Sequence, residues 1–323
     1  MKRIRTAVIG VGHLGRFHAQ KYALLPEAEL VGVADASPER AAAVAAETGS
    51  KAFTSYRELF GLKGLDPLVD AVSIATPTDS HFSIALDFLS RGIDVLIEKP
   101  ITNTAKEARI LIEEADKHKA ILQVGHIERF NPAITALEGR LKDPVYIECA
   151  RESAFPDRSA DVDVILDLMI HDIAVVLSLV KSEITEVHAA GVAVLTGEAD
   201  VASARLCFKN GCVAVFTASR AAKERVRRIT IYQKDGYFSA DYANQLLAFS
   251  RVTRSANASF GELVREEIFI EKKDTLLEEI KSFVKCSAQR SVPAVSGADA
   301  LRALEAAGRI QEAMAFHHGP GRP

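Results

Sequence analysis

A strand, a glycine-spaced turn and a helix open this chain, and that succession leaves few folds available. Residues 6–9 form a short apolar run that stops at Gly10, and Gly10-Val11-Gly12-His13-Leu14-Gly15 then leads into Leu14, Phe17, Tyr22 and Leu25 at helical spacing. Gly10 permits a tight turn, Gly12 lets a pyrophosphate approach the backbone, and Gly15 allows close packing of helix on strand. The helix N-terminus turns unpaired N–H groups and a positive dipole end toward an anion.

The strand–helix rhythm continues to residue 124. Residues 30–34 read as a second strand, Ser37-Pro38-Glu39 as a helix start with Gly49 as its stop. Runs 69–75 and 93–97 are nearly all apolar, as strands buried on both faces should be, and a helix over 80–91 closed by Gly92 lies between them. Thr104-x-x-Glu107 is a capping box for a helix to about Lys119, and 121–124 gives another strand. Residues 1–124 therefore read as an α/β domain, a Rossmann-type doubly wound parallel sheet. Beyond Gly125 the pattern becomes α+β. One apolar helix over about 162–180 precedes strands over 186–195, 201–208, 212–218, 228–233 and 237–242, with Asn210-Gly211 and Asp235-Gly236 as hairpin turns. Two helices follow, one carrying Leu276, Leu277, Ile280, Phe283 and Val284, the other Leu301, Leu304, Ile310 and Met314. Residues 125–323 are expected to form a second domain for substrate binding and oligomerisation, on a large, open, mainly antiparallel sheet.

At 323 residues the chain is long for one core, which agrees with two domains. A net charge of −3 carries no basic excess, which argues against nucleic acid. No apolar run reaches the ~18 residues of a membrane span, and Met1-Lys2-Arg3 leads directly into a strand, so a cytoplasmic location is the expectation. Cys149, Cys207, Cys212 and Cys286 form no CxxC pair and read as reduced thiols. His317-His318 reads as part of a frayed tail; no metal is expected.

The glycine loop makes Gly10, Gly12, His13, Leu14 and Gly15 candidate dinucleotide contacts. Asp35 lies 20 residues beyond Gly15 at the end of the second strand, where a carboxylate accepts hydrogen bonds from ribose hydroxyls and repels a 2′-phosphate. That favours NAD over NADP, with Arg40 close enough to bear on the choice. Thr76 and Pro77 end the fourth strand, above the middle of such a cofactor; Thr78 reads as a turn residue, and His81 begins the next helix as a further candidate contact. Glu98-Lys99-Pro100 closes a buried strand, and ligands bind outside the carboxyl ends of strands in open α/β sheets. Proline holds the residue before it extended, which aims Lys99; a cis Lys99-Pro100 bond is compatible with that. Asp167 and His171, at i and i+4, are polar positions on one face of an otherwise apolar helix. Asp172 points elsewhere and reads as structural. Arg129 and Asn131 sit at the domain junction; Asn131-Pro132 is also a good helix start. Arg129, Arg151 and Arg158 are candidate partners for an anionic ligand.

The glycine loop, Glu98-Lys99-Pro100 and the Asp167-x-x-x-His171 helix together resemble the Gfo/Idh/MocA family of sugar and inositol dehydrogenases, over essentially the whole chain. Within it, 125–132 and 166–173 look like the branch containing UDP-N-acetylglucosamine 3-dehydrogenases, except that Ala174 stands where that branch tends to have Asp. The resemblance implies an NAD(P)-dependent dehydrogenase acting on a CH–OH group, oxidising C3 of UDP-N-acetylglucosamine or a related nucleotide sugar to a ketone. It also implies that Lys99, Asp167 and His171 flank the reacting carbon, and that a homodimer or homotetramer forms through the open sheet. Either Lys99 or His171 takes the hydroxyl proton: free lysine has a pKa of ~10.4, too high for a base at neutral pH unless desolvation and the positive nicotinamide lower it, whereas histidine needs no shift. His171 is thus favoured as base, Asp167 orienting its ring and Lys99 holding the oxygen. Oxidation of a free sugar or inositol is the alternative chemistry. A non-catalytic NAD sensor is the alternative class, disfavoured because sensing needs no proton acceptor.

Overall fold

The computed structural model describes residues 3–61, 67–155, 162–253 and 261–318. It divides into two compact units, Met1–Ile127 with Asp274–Leu301, and Glu128–Lys273 with Arg302–Pro323. The single boundary expected after residue 124 is therefore replaced by a discontinuous division. Its cause is the helix Thr275–Gln289, whose Ile280, Phe283 and Val284 join Val8, Val33 and Leu96 in one apolar cluster. Burying that stripe outweighs sequence proximity.

The first unit alternates β1 (Ile4–Ile9), α1 (His13–Leu24), β2 (Ala28–Ala34), α2 (Pro38–Thr48), β3 (Lys51–Phe53), β4 (Ala71–Ile74), α3 (His81–Leu89), β5 (Asp94–Glu98), α4 (Ala105–His118) and β6 (Leu122–Gly125). All neighbours pair in parallel, in the order β3-β2-β1-β4-β5-β6. That is the doubly wound order, with its topological switch point between β1 and β4. The helix starts are the ones expected: Ser37 accepts from the Arg40 N–H, and Thr104 forms a full capping box with Glu107.

The second unit holds α5 (Pro132–Glu138), β7 (Tyr146–Glu152), α6 (Ile170–Val180), β8 (Ile184–Ala193), β9 (Val201–Phe208), β10 (Val213–Ser219), β11 (Val226–Gln233), β12 (Gly236–Asp241), β13 (Leu246–Thr253) and β14 (Glu262–Ile268). After α7 (Thr275–Gln289), α8 (Gly297–Ala313) leads to β15 (Met314–His318). Nine strands run in the order β14-β13-β12-β11-β7-β10-β9-β8-β15. Among the described residues, only β7–β10 and β8–β15 are parallel pairs in this sheet. The expected large, mainly antiparallel sheet is present. Burial alternates along β9 and β12, and the buried set packs with Ile173, Val175, Ala303 and Ile310. His317-His318, expected in a frayed tail, belongs to β15, whose backbone pairs with β8.

Candidate active site

In the first unit the glycine loop has the geometry its spacing implies. Gly10 has φ +79°, and a Cβ there would lie 2.7 Å from Thr76 Cγ2. A Cβ on Gly15 would lie 1.8 Å from the Gly10 carbonyl oxygen, so α1 reaches the loop only because Gly15 has no side chain. At Gly12 a Cβ would meet nothing, which leaves that side open to a ligand. No side chain caps the N-terminus of α1, and no acidic residue lies in its first turn. His13 and Leu14 are exposed beside it.

Asp35 is buried at the end of β2. Its Oδ2 accepts the Val11 N–H at 2.9 Å, and its Oδ1 accepts from Ser37 N–H at 2.8 Å and Arg40 Nη2 at 2.8 Å. Burial opposes ionisation, but these donors, Arg40 foremost, win and hold the carboxyl below its usual range. The carboxylate thus ties the glycine loop to the start of α2. Arg40 itself is exposed.

Thr76 and Pro77 follow β4, and Thr76 Oγ1 accepts from Ser80 Oγ at 2.8 Å. His81 is buried between two carbonyls, Nδ1 2.9 Å from Pro100 O and Nε2 2.9 Å from Thr76 O. It thereby clamps the loops that leave β4 and β5. Burial holds its pKa below the usual histidine range, the two carbonyls pulling the other way. The Lys99-Pro100 peptide is cis. Glu98 Oε2 accepts the Lys99 backbone N–H at 3.2 Å, and Oε1 lies 3.0 Å from Nε2 of His18 on α1. His18, which the sequence analysis passed over, joins the glycine-loop helix to the lysine turn. Its only signal was one polar position on the buried face of α1.

In the second unit, Asp167 and His171 are both half-buried. Asp163 opens their helix by accepting the Ile165 and Leu166 N–H groups at 3.0 Å each. Residues Ile165–Met169 form a π turn, with the Ile170 N–H reaching Ile165 O. Asp167 therefore sits in a widened turn, not a regular α-helix, a distortion frequent at functional sites.

Arg151 is buried with its fork on its own chain's carboxylates: Nε to Asp172 Oδ2 at 3.0 Å, Nη2 to Asp172 Oδ1 at 2.9 Å, Nη1 to Glu128 Oε1 at 3.1 Å. Asp172 is structural, as expected, and Arg151 shares that role. Glu128 also meets Arg227 at 3.4 Å. Asn131 is the N-cap of α5, accepting from Ala133 N–H at 3.1 Å and donating to Tyr242 O at 3.0 Å. Arg129 reaches Glu138 at 3.2 Å. Arg158 lies outside the described residues.

Residues 4–126 match the model of an oxidoreductase family with an NAD-binding Rossmann fold, and 133–239 match the GFO/IDH/MocA C-terminal domain. The chain is 41% identical to UDP-N-acetylglucosamine 3-dehydrogenase from Acidithiobacillus ferrooxidans, over 97% of this chain and 98% of that one. A solved structure of that enzyme superposes with a TM-score of 0.89. Myo-inositol 2-dehydrogenase from Thermotoga maritima is 28% identical over 93% of each chain. Levoglucosan dehydrogenase, solved with NADH and levoglucosan, shares the fold at 20% identity, with a TM-score of 0.84 over 97% of each chain. The chain therefore belongs to the Gfo/Idh/MocA family of oxidoreductases.

Proposed function

We propose that this protein oxidises the C3 hydroxyl of UDP-N-acetylglucosamine, or of a closely related nucleotide sugar, to a ketone. The observation that carries the reading is the 41% identity to an enzyme of that name across 97% of the chain. The inositol dehydrogenases match at lower identity.

The open side of Gly12, the uncapped N-terminus of α1 and the Asp35 carboxylate fit a dinucleotide. When bound, NAD supplies the acceptor for the hydride leaving C3. Gly10, Gly12 and Gly15 shape the pyrophosphate cradle, with His13, Leu14, Thr76 and Pro77 as the neighbouring contacts. Asp35 accepts from the ribose hydroxyls and disfavours a 2′-phosphate, so NAD is the preferred form. His171 takes the hydroxyl proton, Asp167 fixes the orientation of its ring, and Lys99 holds the oxygen and offsets developing alkoxide charge. Arg129 and Arg158 are proposed for the diphosphate, since guanidinium forks suit it. The outward face of the nine-stranded sheet carries Tyr146, Tyr232 and Tyr237 in tilted ring contact, a surface suited to a second copy of the chain in a homodimer or homotetramer.

The test is NADH formation across a panel of UDP-sugars, free sugars and inositols. Turnover with UDP-N-acetylglucosamine and silence with the free polyols is expected. The reverse pattern would replace this substrate by an inositol or free sugar. Silence throughout with tight NAD binding would remove the enzyme reading.

A further inference from the structure

A second carboxylate lies beside Glu98 and takes no part in the chemistry above. Glu279, on α7, is fully buried, and neither carboxylate oxygen has a hydrogen-bond partner among the described residues. One side-chain ligand atom from each of His18, Glu98 and Glu279 lies within 4.8 Å of the others. All three belong to the first unit, on α1, β5 and α7. Gly125 leaves the room that Glu98 fills: a Cβ there would lie 3.0 Å from Glu98 Oε2.

Two buried carboxylates this close do not both ionise without a counter-charge, because each disfavours the charged form of the other. The surroundings decide which one keeps its proton. Glu98 has a hydrogen bond from His18 and accepts the Lys99 N–H; burial opposes its ionisation, but these contacts prevail and its pKa is lowered. Glu279 has no such donor, and burial first, the Glu98 charge second, push it well above the usual range. Among the described residues, the other polar groups nearby do not supply a cation to Glu279. Tyr22, on α1, is bonded to Ser73 at 2.8 Å, and Gln123, on β6, gives its amide N–H to the backbone carbonyl of Glu279 at 3.2 Å. His81, on α3, is held by its two carbonyls.

We propose that Glu98 and Glu279 form a buried pair that holds one proton, on Glu279, beside His18, and that Glu279 as the neutral member is a positioning residue for Glu98. Glu98 stays a single negative charge, tied to α1 through His18 and to the lysine turn through the Lys99 N–H. The connection to catalysis rests on the role given to Lys99 above; the proton site does not.

Glu279 is protonated in the folded chain and ionised in the unfolded chain above about pH 4.3. Its stabilising contribution is therefore complete below that pH and is lost as pH rises toward the folded value. Glu279→Gln has no proton to lose. Its folding equilibrium constant relative to the natural protein should improve as pH rises above about 4.3, by up to about tenfold per pH unit for as long as Glu279 keeps its proton in the folded chain. Glu279→Met, which also cannot titrate, should show the same widening if the amide variant folds poorly. A protonated-carboxyl stretch in the infrared spectrum of the natural protein should vanish in either variant. A gap that stays constant with pH, or the absence of that band, overturns the proposal. So does a stoichiometric divalent cation in the purified protein, which would assign the three residues to a metal. Glu98→Gln is expected to shift the pH profile of kcat/KM; an unmoved profile alongside a widening stability gap would keep the proton site and refute its positioning link to the lysine turn.

Discussion

Replacing Arg151 by Met separates two uses of one arginine. The side chains of Arg151, Asp172 and Glu128 are 2%, 3% and 5% exposed, so solvent screens the group little. Two charges 3 Å apart attract by roughly 5 kcal/mol at an effective dielectric of about 20, and desolvation offsets much of that for an intact pair. Methionine retains most of the volume but removes the cation, leaving Asp172 without its bidentate partner and Glu128 with the 3.4 Å contact to Arg227. Breaking a buried pair by removing one partner costs about 3–5 kcal/mol, and that is the expected loss here. Urea unfolding followed by tyrosine emission suits the measurement, since the chain has no tryptophan and six tyrosines, and Tyr146, Tyr232, Tyr237 and Tyr242 lie in the second unit. Adding Asp172→Leu to Arg151→Met should recover part of the loss, because the orphaned carboxylate is then gone. In the folded fraction, KM for the nucleotide sugar should stay within about threefold. A single variant with natural stability, within about 1 kcal/mol, and a KM raised more than tenfold would refute the argument and put the guanidinium on the ligand.

Asp35→Ser removes the charged acceptor at the end of β2, leaving Arg40 without its partner; kcat/KM for NAD relative to NADP should fall by roughly 10- to 100-fold, equivalent to about 1.5–3 kcal/mol of charged hydrogen bonding. Gly15→Ala places a methyl 1.8 Å from the Gly10 carbonyl, so the loop must move; NAD affinity measured by calorimetry should fall by at least about tenfold, and unchanged affinity would contradict the loop geometry. Lys99→Met and His171→Asn should each lower kcat by about 10²–10⁴ with a far smaller change in NAD affinity, and full turnover in either would remove that residue from the chemistry. Asp200 is buried against Arg220; burial opposes its ionisation, but the Thr196 and Leu195 N–H groups and Arg220 hold its pKa below the usual range. Its stabilising effect is present above about pH 4 and is lost as pH falls through the folded value, so Asp200→Asn should cost more than about 2 kcal/mol at pH 7 and progressively less in acid.

How much of this was readable in the sequence depends on the range of the interaction involved. The parallel sheet follows from features a few residues apart: a glycine spacing, capping residues such as Ser37 and Thr104, and apolar runs at β4 and β5. The lysine turn was legible for the same reason, since Lys99 is constrained by Pro100 next to it. β14 escaped notice because it is an exposed edge rich in Glu262, Arg265, Glu266 and Glu267, with no apolar alternation to mark it. The π turn at Asp167 also left no trace, since a backbone bond from residue 170 to 165 differs from an α-helical one by packing, not by composition.

Arg151 shows the deeper difficulty. An arginine near a site reads the same whether its carboxylate or phosphate partner comes from a ligand or from its own chain. Asp172 lies 21 positions away and Glu128 lies 23 away, on different elements. The one local clue was Asp172, a charge next to His171 in a helix where every other neighbour is apolar. A charge that must be buried needs a counter-charge, and Arg151 is that counter-charge. A similar question leads from Glu98 to His18, 80 positions upstream, which hydrogen-bonds it, and to Glu279, 181 positions downstream, which stays neutral beside it in the proposal above. In both units the residues that touch substrate or cofactor are proposed from short motifs. The residues that hold them in place are found by asking what surrounds each buried charge.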